Sequence, residues 1–359
     1  MKRNLFYLAA GLMCVTSTVS LHAENTPVRP VFDEAGTVHV PAFELPPSVF
    51  SSQEAQDFMK LRARMPSELP TKEPDIVKSR KGLEAMLAPQ VAGMLKLHPV
   101  DVVDETINGV PTRIVTPKGK DVDPDRVLIN LHGGAFTTCW ESCSMLESAP
   151  IASLGGYKVV SVNYRMAPEA THPAGVEDVA KVYSELLKTY ESKHIGIYGC
   201  SAGGALTAQT AAWLPTHNLP QAGAVGIFGA GGVRFSEGDS AYIAGYIDGS
   251  FPPPPKPGET KIDMTRGYFA NADMSDAIIS PALHPSVLKN FPPALIITGT
   301  RAMDMSPAIV TNSNLIRAGI RSTLIVGEGM GHCYIYMAQL PEAQDAHSAI
   351  VAFFDENLR

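Results

Sequence analysis

The chain has 359 residues, 45% of them hydrophobic and 18% charged, with a formal net charge of −7. That length suffices for one large domain or two small ones, and the composition excludes a collagen, a coiled coil or a wholly disordered chain. The acidic balance argues against nucleic acid as a partner.

Lys2 and Arg3 precede an apolar run over residues 5–15, and a small polar stretch then ends in Ser20-Leu21-His22-Ala23. This is the layout of a secretory leader, so residues 1–23 are expected to be a signal peptide and the mature protein to be periplasmic or secreted. The run is short for a membrane anchor, and no stable membrane insertion is expected after leader removal. Loss of the two cations Lys2 and Arg3 takes the net charge from −7 to −9. Residues 24–50, rich in Pro and polar side chains, read as an extended arm, and helical stretches follow over 54–64 and 76–86. Val- and Ile-rich runs then recur at 126–131, 158–163, 195–198, 223–228, 294–298 and 323–326. Helical patterns separate most of them, at 173–190, 202–213, 306–318 and 341–357. Continuous apolar strands alternating with helices predict an α/β fold, a mostly parallel central sheet covered on both faces. The rhythm breaks between Gly231 and Pro281, where residues 251–258 form a stiff Pro-rich loop that could belong to a lid.

Within this frame one segment carries chemistry. Gly199-Cys200-Ser201-Ala202-Gly203 reads Gly-x-Ser-x-Gly, preceded by a strand pattern and followed by helix-forming residues. A serine on a sharp strand-to-helix turn presents its hydroxyl, and free N–H groups at the helix start can stabilise negative charge. A hydroxyl is a weak nucleophile, so it needs a base, a group that orients the base, and donors for an oxyanion. His332, in the glycine-rich loop after the last predicted strand, is the candidate base, with His132 and His172 as competitors. The run His132-Gly133-Gly134-Ala135-Phe136 after the strand at 126–131 offers Gly133 and Gly134 N–H as oxyanion donors, joined by the N–H of Ala202. Of the five cysteines, Cys14 lies in the leader. An oxidising compartment permits a bridge among the other four, Cys139 and Cys143 being the only close pair in sequence. Cys200 reads as a small buried hydrophobe. No Cys/His spacing resembles a zinc site.

These motifs together resemble the hormonesensitive-lipase-like group of bacterial esterases with the α/β-hydrolase fold. The matches are the oxyanion run at 132–136, Asn163-Tyr164-Arg165-Met166-Ala167-Pro168-Glu169, His172-Pro173-Ala174-Gly175-Val176-Glu177-Asp178, the nucleophile elbow at 199–203 and the histidine motif at 328–332, in that order along residues 125–355. The resemblance implies a helical cap built from residues 51–97, within an N-terminal arm and cap segment at 24–100, and from an insertion at about 235–275 on a hydrolase domain at 101–359. Three positions depart from the pattern. Ala135 replaces the third glycine of the oxyanion motif. Cys200 replaces the usual acidic residue before the serine. In Gly299-Thr300-Arg301-Ala302-Met303-Asp304, Ala302 stands where the family carries its acid. Asp304, two residues on, is the candidate acid, with Glu328, Asp276 or no acid at all as the alternatives.

The expected activity is serine carboxylic-ester hydrolysis, with no cofactor or metal, on a short-chain or compact ester or lactone. An amidase or peptidase on the same fold, or a non-catalytic binding protein, are the alternatives.

Overall fold

The computed structural model describes residues 29–62, 75–235, 237–248 and 263–359. The leader, Cys14 and the Pro-rich loop at 251–258 lie outside the described residues. The chain groups into two compact units that divide between Pro46 and Pro47. In the first, β1 (Val31–Phe32) and β2 (Val38–His39) pair antiparallel. Asp33 Oδ1 closes the intervening turn by accepting the N–H groups of Ala35 and Thr37.

The second unit opens with α1 (Gln53–Arg62) and α2 (Ile76–Leu97), the latter capped by Asp75, whose carboxylate accepts the N–H of Lys78. An antiparallel pair follows, β3 (Val100–Ile107) and β4 (Val110–Pro117). The sequence reading gave no strands here. β3 is solvent-facing along most of its length and its apolar residues are interrupted by Asp101, Asp104, Glu105 and Thr106, so it lacks the continuous apolar signature that marks the interior strands. The chain continues through β5 (Val127–Leu131), α3 (Trp140–Gly155), β6 (Lys158–Val162), α4 (Ala174–Leu186), β7 (Ile195–Cys200), α5 (Ala202–Thr216) and β8 (Ala224–Phe228). Then come α6 (Asp239–Asp248), α7 (Pro285–Leu288), β9 (Ala294–Gly299), α8 (Met305–Arg317), β10 (Ser322–Gly327) and α9 (Pro341–Asn357).

The eight strands form one sheet in the order β10-β9-β8-β7-β5-β6-β4-β3. β5 to β10 run parallel, and β4 pairs antiparallel with both β3 and β6. Side-chain alternation sorts the core. Val127, Ile129, Leu131, Ile195, Ile197, Val225 and Ile227 pack on one face with α4, α5 and α8. Leu128, Tyr198, Cys200, Phe228, Leu295 and Ile297 pack on the other with α2, α3 and α9. The strand order reverses at β5, whose neighbours are β6 and β7, and such a switch point opens a crevice at the carboxyl ends of the strands. No helix among the described residues is long and apolar enough to cross a membrane.

α3 went unread in the sequence. It is Ser-rich, contains Pro150 and is buried along almost all of its length, so it has no amphipathic period to detect. Its first turn is closed by a disulfide between Cys139 and Cys143, the close pair whose bridging the sequence left open.

Candidate active site

The carboxyl ends of β5, β7, β9 and β10 bring four sequence segments to one place. β7 ends at Cys200, and Ser201 sits between it and α5 with φ 60° and ψ −121°, a conformation L-residues adopt only under constraint. The Ser201 N–H donates to the carbonyl of Phe228 at 2.8 Å, which ties the elbow to the end of β8. Gly203 is required here, because a Cβ would strike the carbonyl of Leu131 at the end of β5. Ser201 is partly exposed, as a nucleophile must be.

His332 lies in the loop after β10. Its Nε2 is 2.9 Å from Ser201 Oγ and its Nδ1 is 2.7 Å from Asp304 Oδ1. The tautomer that satisfies both contacts carries the proton on Nδ1, donates it to Asp304, and leaves Nε2 to accept from the serine. The other oxygen of Asp304 accepts the Thr298 hydroxyl at 2.6 Å. Asp304 is wholly buried and stands immediately before α8, where the helix N-terminus favours negative charge. The loops after β9 and β10 are laced together. Thr300 N–H donates to Gly327 O, Arg301 N–H to Met330 O, and Gly329 N–H to Thr300 Oγ1. This lacing is why an acid displaced by two positions still meets the imidazole. Ala302 is buried, its N–H donating to Gly299 O within the turn.

The rivals separate cleanly. Glu328 is exposed and accepts the Ser48 hydroxyl, while Asp276 is exposed and accepts the N–H of Ile278. His132 is wholly buried, its ring stacked on Tyr164 at 4.5 Å, and burial pulls its pKa down to about 4. His172 packs against Phe269, and burial lowers its pKa too.

The oxyanion assignment is revised. Gly133 N–H donates to Glu147 Oε1 at 2.9 Å, so it is engaged beneath the elbow and is not available to an oxyanion. The amides of Gly134 and Ala202 have no hydrogen-bond partner among the described residues, and Gly134 is partly exposed. Ala135, in the third motif position, shares that freedom and takes φ 55°, a region in which a Cβ is strained. Phe136 beside it stacks on Tyr268 at 4.6 Å and meets Phe269 edge-on at 5.1 Å. Within the 235–275 segment, residues 268 and 269 therefore roof the oxyanion loop. Phe235, from the same segment, sets its ring edge-to-face against His332 at 5.2 Å.

The reading of Cys200 as a plain hydrophobe is corrected as well. Cys200 and Cys333 form a disulfide across 133 residues, one position from the nucleophile on one side and one from the base on the other. Gly229, with φ 54°, makes room for it, since a Cβ there would lie 2.9 Å from Cys333 Sγ and 3.2 Å from His332 Cε1. In sequence the partners are far apart, and no local pattern marks them.

Two further residues gave no sequence signal. Arg80, on α2, donates to the carbonyls of Thr137 and Ala167 and forms a two-pronged pair with Glu169. Glu147, on α3, is 2% exposed, and burial pushes its pKa up to about 7. No cluster of His, Cys, Asp and Glu that could hold a metal ion occurs among the described residues.

A family model described as alpha/beta hydrolase fold matches residues 128–336. An acetyl-hydrolase of Streptomyces hygroscopicus is 27% identical over 274 residues, 74% of this chain and 86% of that protein. A versiconal hemiacetal acetate esterase of Emericella nidulans is 33% identical over 124 residues, covering 33% of this chain and 41% of that one. An arylacetamide deacetylase of Oryctolagus cuniculus is 36% identical over 123 residues, covering 31% and 30%. The chain thus spans less than half the length of these last two curated relatives. Among solved structures, a crystal structure of an esterase, E25, superposes with a TM-score of 0.75 at 27% identity, covering 89% of this chain and 99% of that one.

Proposed function

Since this chain belongs to the alpha/beta-hydrolase-fold family, we propose that it is a serine carboxylesterase. The observation that carries this reading is the unbroken line Ser201 Oγ–His332 Nε2, His332 Nδ1–Asp304 Oδ1, at 2.9 Å and 2.7 Å, on the carboxyl edge of the sheet. As Ser201 Oγ attacks the ester carbonyl, its proton moves to His332 Nε2, and Asp304 holds the resulting imidazolium in place. The carbonyl oxygen takes up the electron pair and is held by the N–H groups of Gly134 and Ala202, with Ala135 beside them. Each such donor lowers the barrier by about 3–4 kcal/mol. Collapse of the tetrahedral intermediate expels the alcohol, which leaves with the proton from Nε2, and the acyl group remains on Ser201. Water then attacks that acyl-enzyme, gives its proton to Nε2, and the carboxylic acid departs as the proton returns to Ser201.

Short or compact acyl groups suit the site. Ala135 in place of a third glycine adds a methyl group to the oxyanion loop, and Phe235 sets its ring against His332. The names of the relatives that act on acetyl groups point the same way. Two disulfides fit an oxidising compartment, and export by the leader at 1–23 would supply it.

The test is labelling by a fluorophosphonate together with turnover of p-nitrophenyl esters of graded chain length. Ser201 is expected to be the modified residue, His332→Ala to abolish labelling, and acetate or butyrate esters to turn over faster than long-chain ones. A matched anilide hydrolysed faster than the ester would make the chain an amidase. A wild-type protein that neither labels nor turns over any ester would make it a binding protein.

A further inference from the structure

Glu147 is a buried carboxyl that the mechanism above does not use, and four donors from three separate segments converge on it. Its Oε1 accepts Gly133 N–H at 2.9 Å and the Tyr336 hydroxyl at 2.6 Å. Its Oε2 accepts Asn130 Nδ2 at 2.8 Å and Cys200 N–H at 3.1 Å. Gly133 directly precedes Gly134 in the oxyanion loop, Cys200 directly precedes Ser201, and Tyr336 lies four residues after His332. Asn130 is fixed in turn by the Ser161 hydroxyl at 2.7 Å. Gly133 also packs tightly between the other two segments: a Cβ there would lie 2.6 Å from Tyr336 Oη and 3.4 Å from Ser201 Cβ.

We propose that Glu147 is a positioning residue for ester hydrolysis, its carboxylate setting the oxyanion loop, the nucleophile elbow and the base loop in register with one another. All four partners are donors, so each favours the anion and offsets part of the burial that favours the proton. The burial that raises the pKa of Glu147 also strengthens these hydrogen bonds. The family pattern has an acidic residue where this chain has Cys200, and here a negative charge reaches the underside of the elbow from α3 instead. Glu147 touches neither substrate nor the reacting atoms. Its effect passes through the Gly134 amide and Ser201 Oγ, where a misplacement of about 1 Å can lower the rate about 100-fold.

The inference rests on the serine-esterase reading, and the experiment keeps the two apart. Glu147→Gln keeps the shape but turns one oxygen into a donor facing donors. Active sites are counted by fluorophosphonate titration, and kcat per titrated site is measured with p-nitrophenyl acetate. The affinity for a trifluoromethyl ketone, whose hemiketal imitates the tetrahedral oxyanion, is measured alongside. The expected result is a kcat per site lowered about 10- to 100-fold, KM within about threefold of wild type, and ketone affinity weakened by the same factor as kcat/KM. A kcat per site within about twofold of wild type, with only thermal stability reduced, overturns the proposal. Should Glu147→Gln fail to fold, Tyr336→Phe removes a single donor. A kcat loss of about threefold or more with unchanged KM and a weakened ketone then supports the proposal, and unchanged kcat overturns it. Failure of the wild-type protein to label at Ser201 would refute the esterase reading, and this inference with it, whatever the variants do.

Discussion

Asp304→Asn isolates the role of the acid that stands two residues from its expected place. In the wild type His332 Nδ1 is 2.7 Å from Asp304 Oδ1, and the second oxygen accepts the Thr298 hydroxyl at 2.6 Å. The variant has two ways to settle. If the amide oxygen faces the histidine, the NH₂ donates to Thr298, whose hydroxyl can rotate to accept it, and the imidazole keeps its tautomer. The transition state then loses only the carboxylate charge. Two unit charges about 4 Å apart interact by about 4 kcal/mol at an effective dielectric constant of about 20, which corresponds to about 10³-fold in rate. If the NH₂ faces the histidine, Nδ1 must become the acceptor, the proton shifts to Nε2, and Ser201 loses its base. The analogous change in a serine protease costs about 10⁴-fold in kcat. Either arrangement therefore predicts a fall of about 10³- to 10⁴-fold in kcat for p-nitrophenyl acetate, per titrated site. A kcat within about twofold of wild type would refute the assignment of Asp304, and with it the argument that the laced loops after β9 and β10 position the acid.

The disulfides provide a second check. Cys139, Cys143, Cys200 and Cys333 should resist alkylation in denaturant until a reductant is added, and replacing both Cys200 and Cys333 by Ala should lower unfolding free energy by up to about 5 kcal/mol for a loop this long. Burial raises the pKa of Glu147 from 4.5 to about 7, so the folded protein holds that proton more tightly than the unfolded one. Its contribution is full below pH 4.5 and fades as pH rises through 7. The swing is on the order of 3 kcal/mol, and the slope it adds to a plot of stability against pH should vanish in Glu147→Gln. Arg80→Met removes the hydrogen bonds that fasten α2 to Thr137, Ala167 and Glu169, and chemical denaturation should show a loss of about 1–3 kcal/mol with little change in KM.

The interior of the sheet was legible because most of its parallel strands are buried runs rich in Val, Ile and Leu, a local pattern that does not depend on the partner strand. Ser201 and His332 were legible for a related reason, since glycine-rich loops after such strands are where side chains reach a crevice. Asp304 was named against the family alignment, and the structure shows what sequence spacing alone could not: the turn at 299–304 carries it to Nδ1. What escaped reading shares one physical cause. β3 draws its stability from pairing with β4, α3 from burial on all sides, and the bridge between Cys200 and Cys333 from two loops adjacent only in the fold. Glu147 belongs to the same class, a lone acid in an apolar, Ser-rich stretch whose four partners are distant in sequence. The Gly133 assignment failed because a motif names residues but does not reveal which amide already has an acceptor beneath it.

The covalent tie between Cys200 and Cys333 has a consequence for a clipped chain. A protease cutting the exposed stretch around residues 271–276 would leave Ser201 on one fragment and both Asp304 and His332 on the other. The two pieces would still migrate as a single band on a non-reducing gel, and the scission would become visible only once the sulfurs were parted.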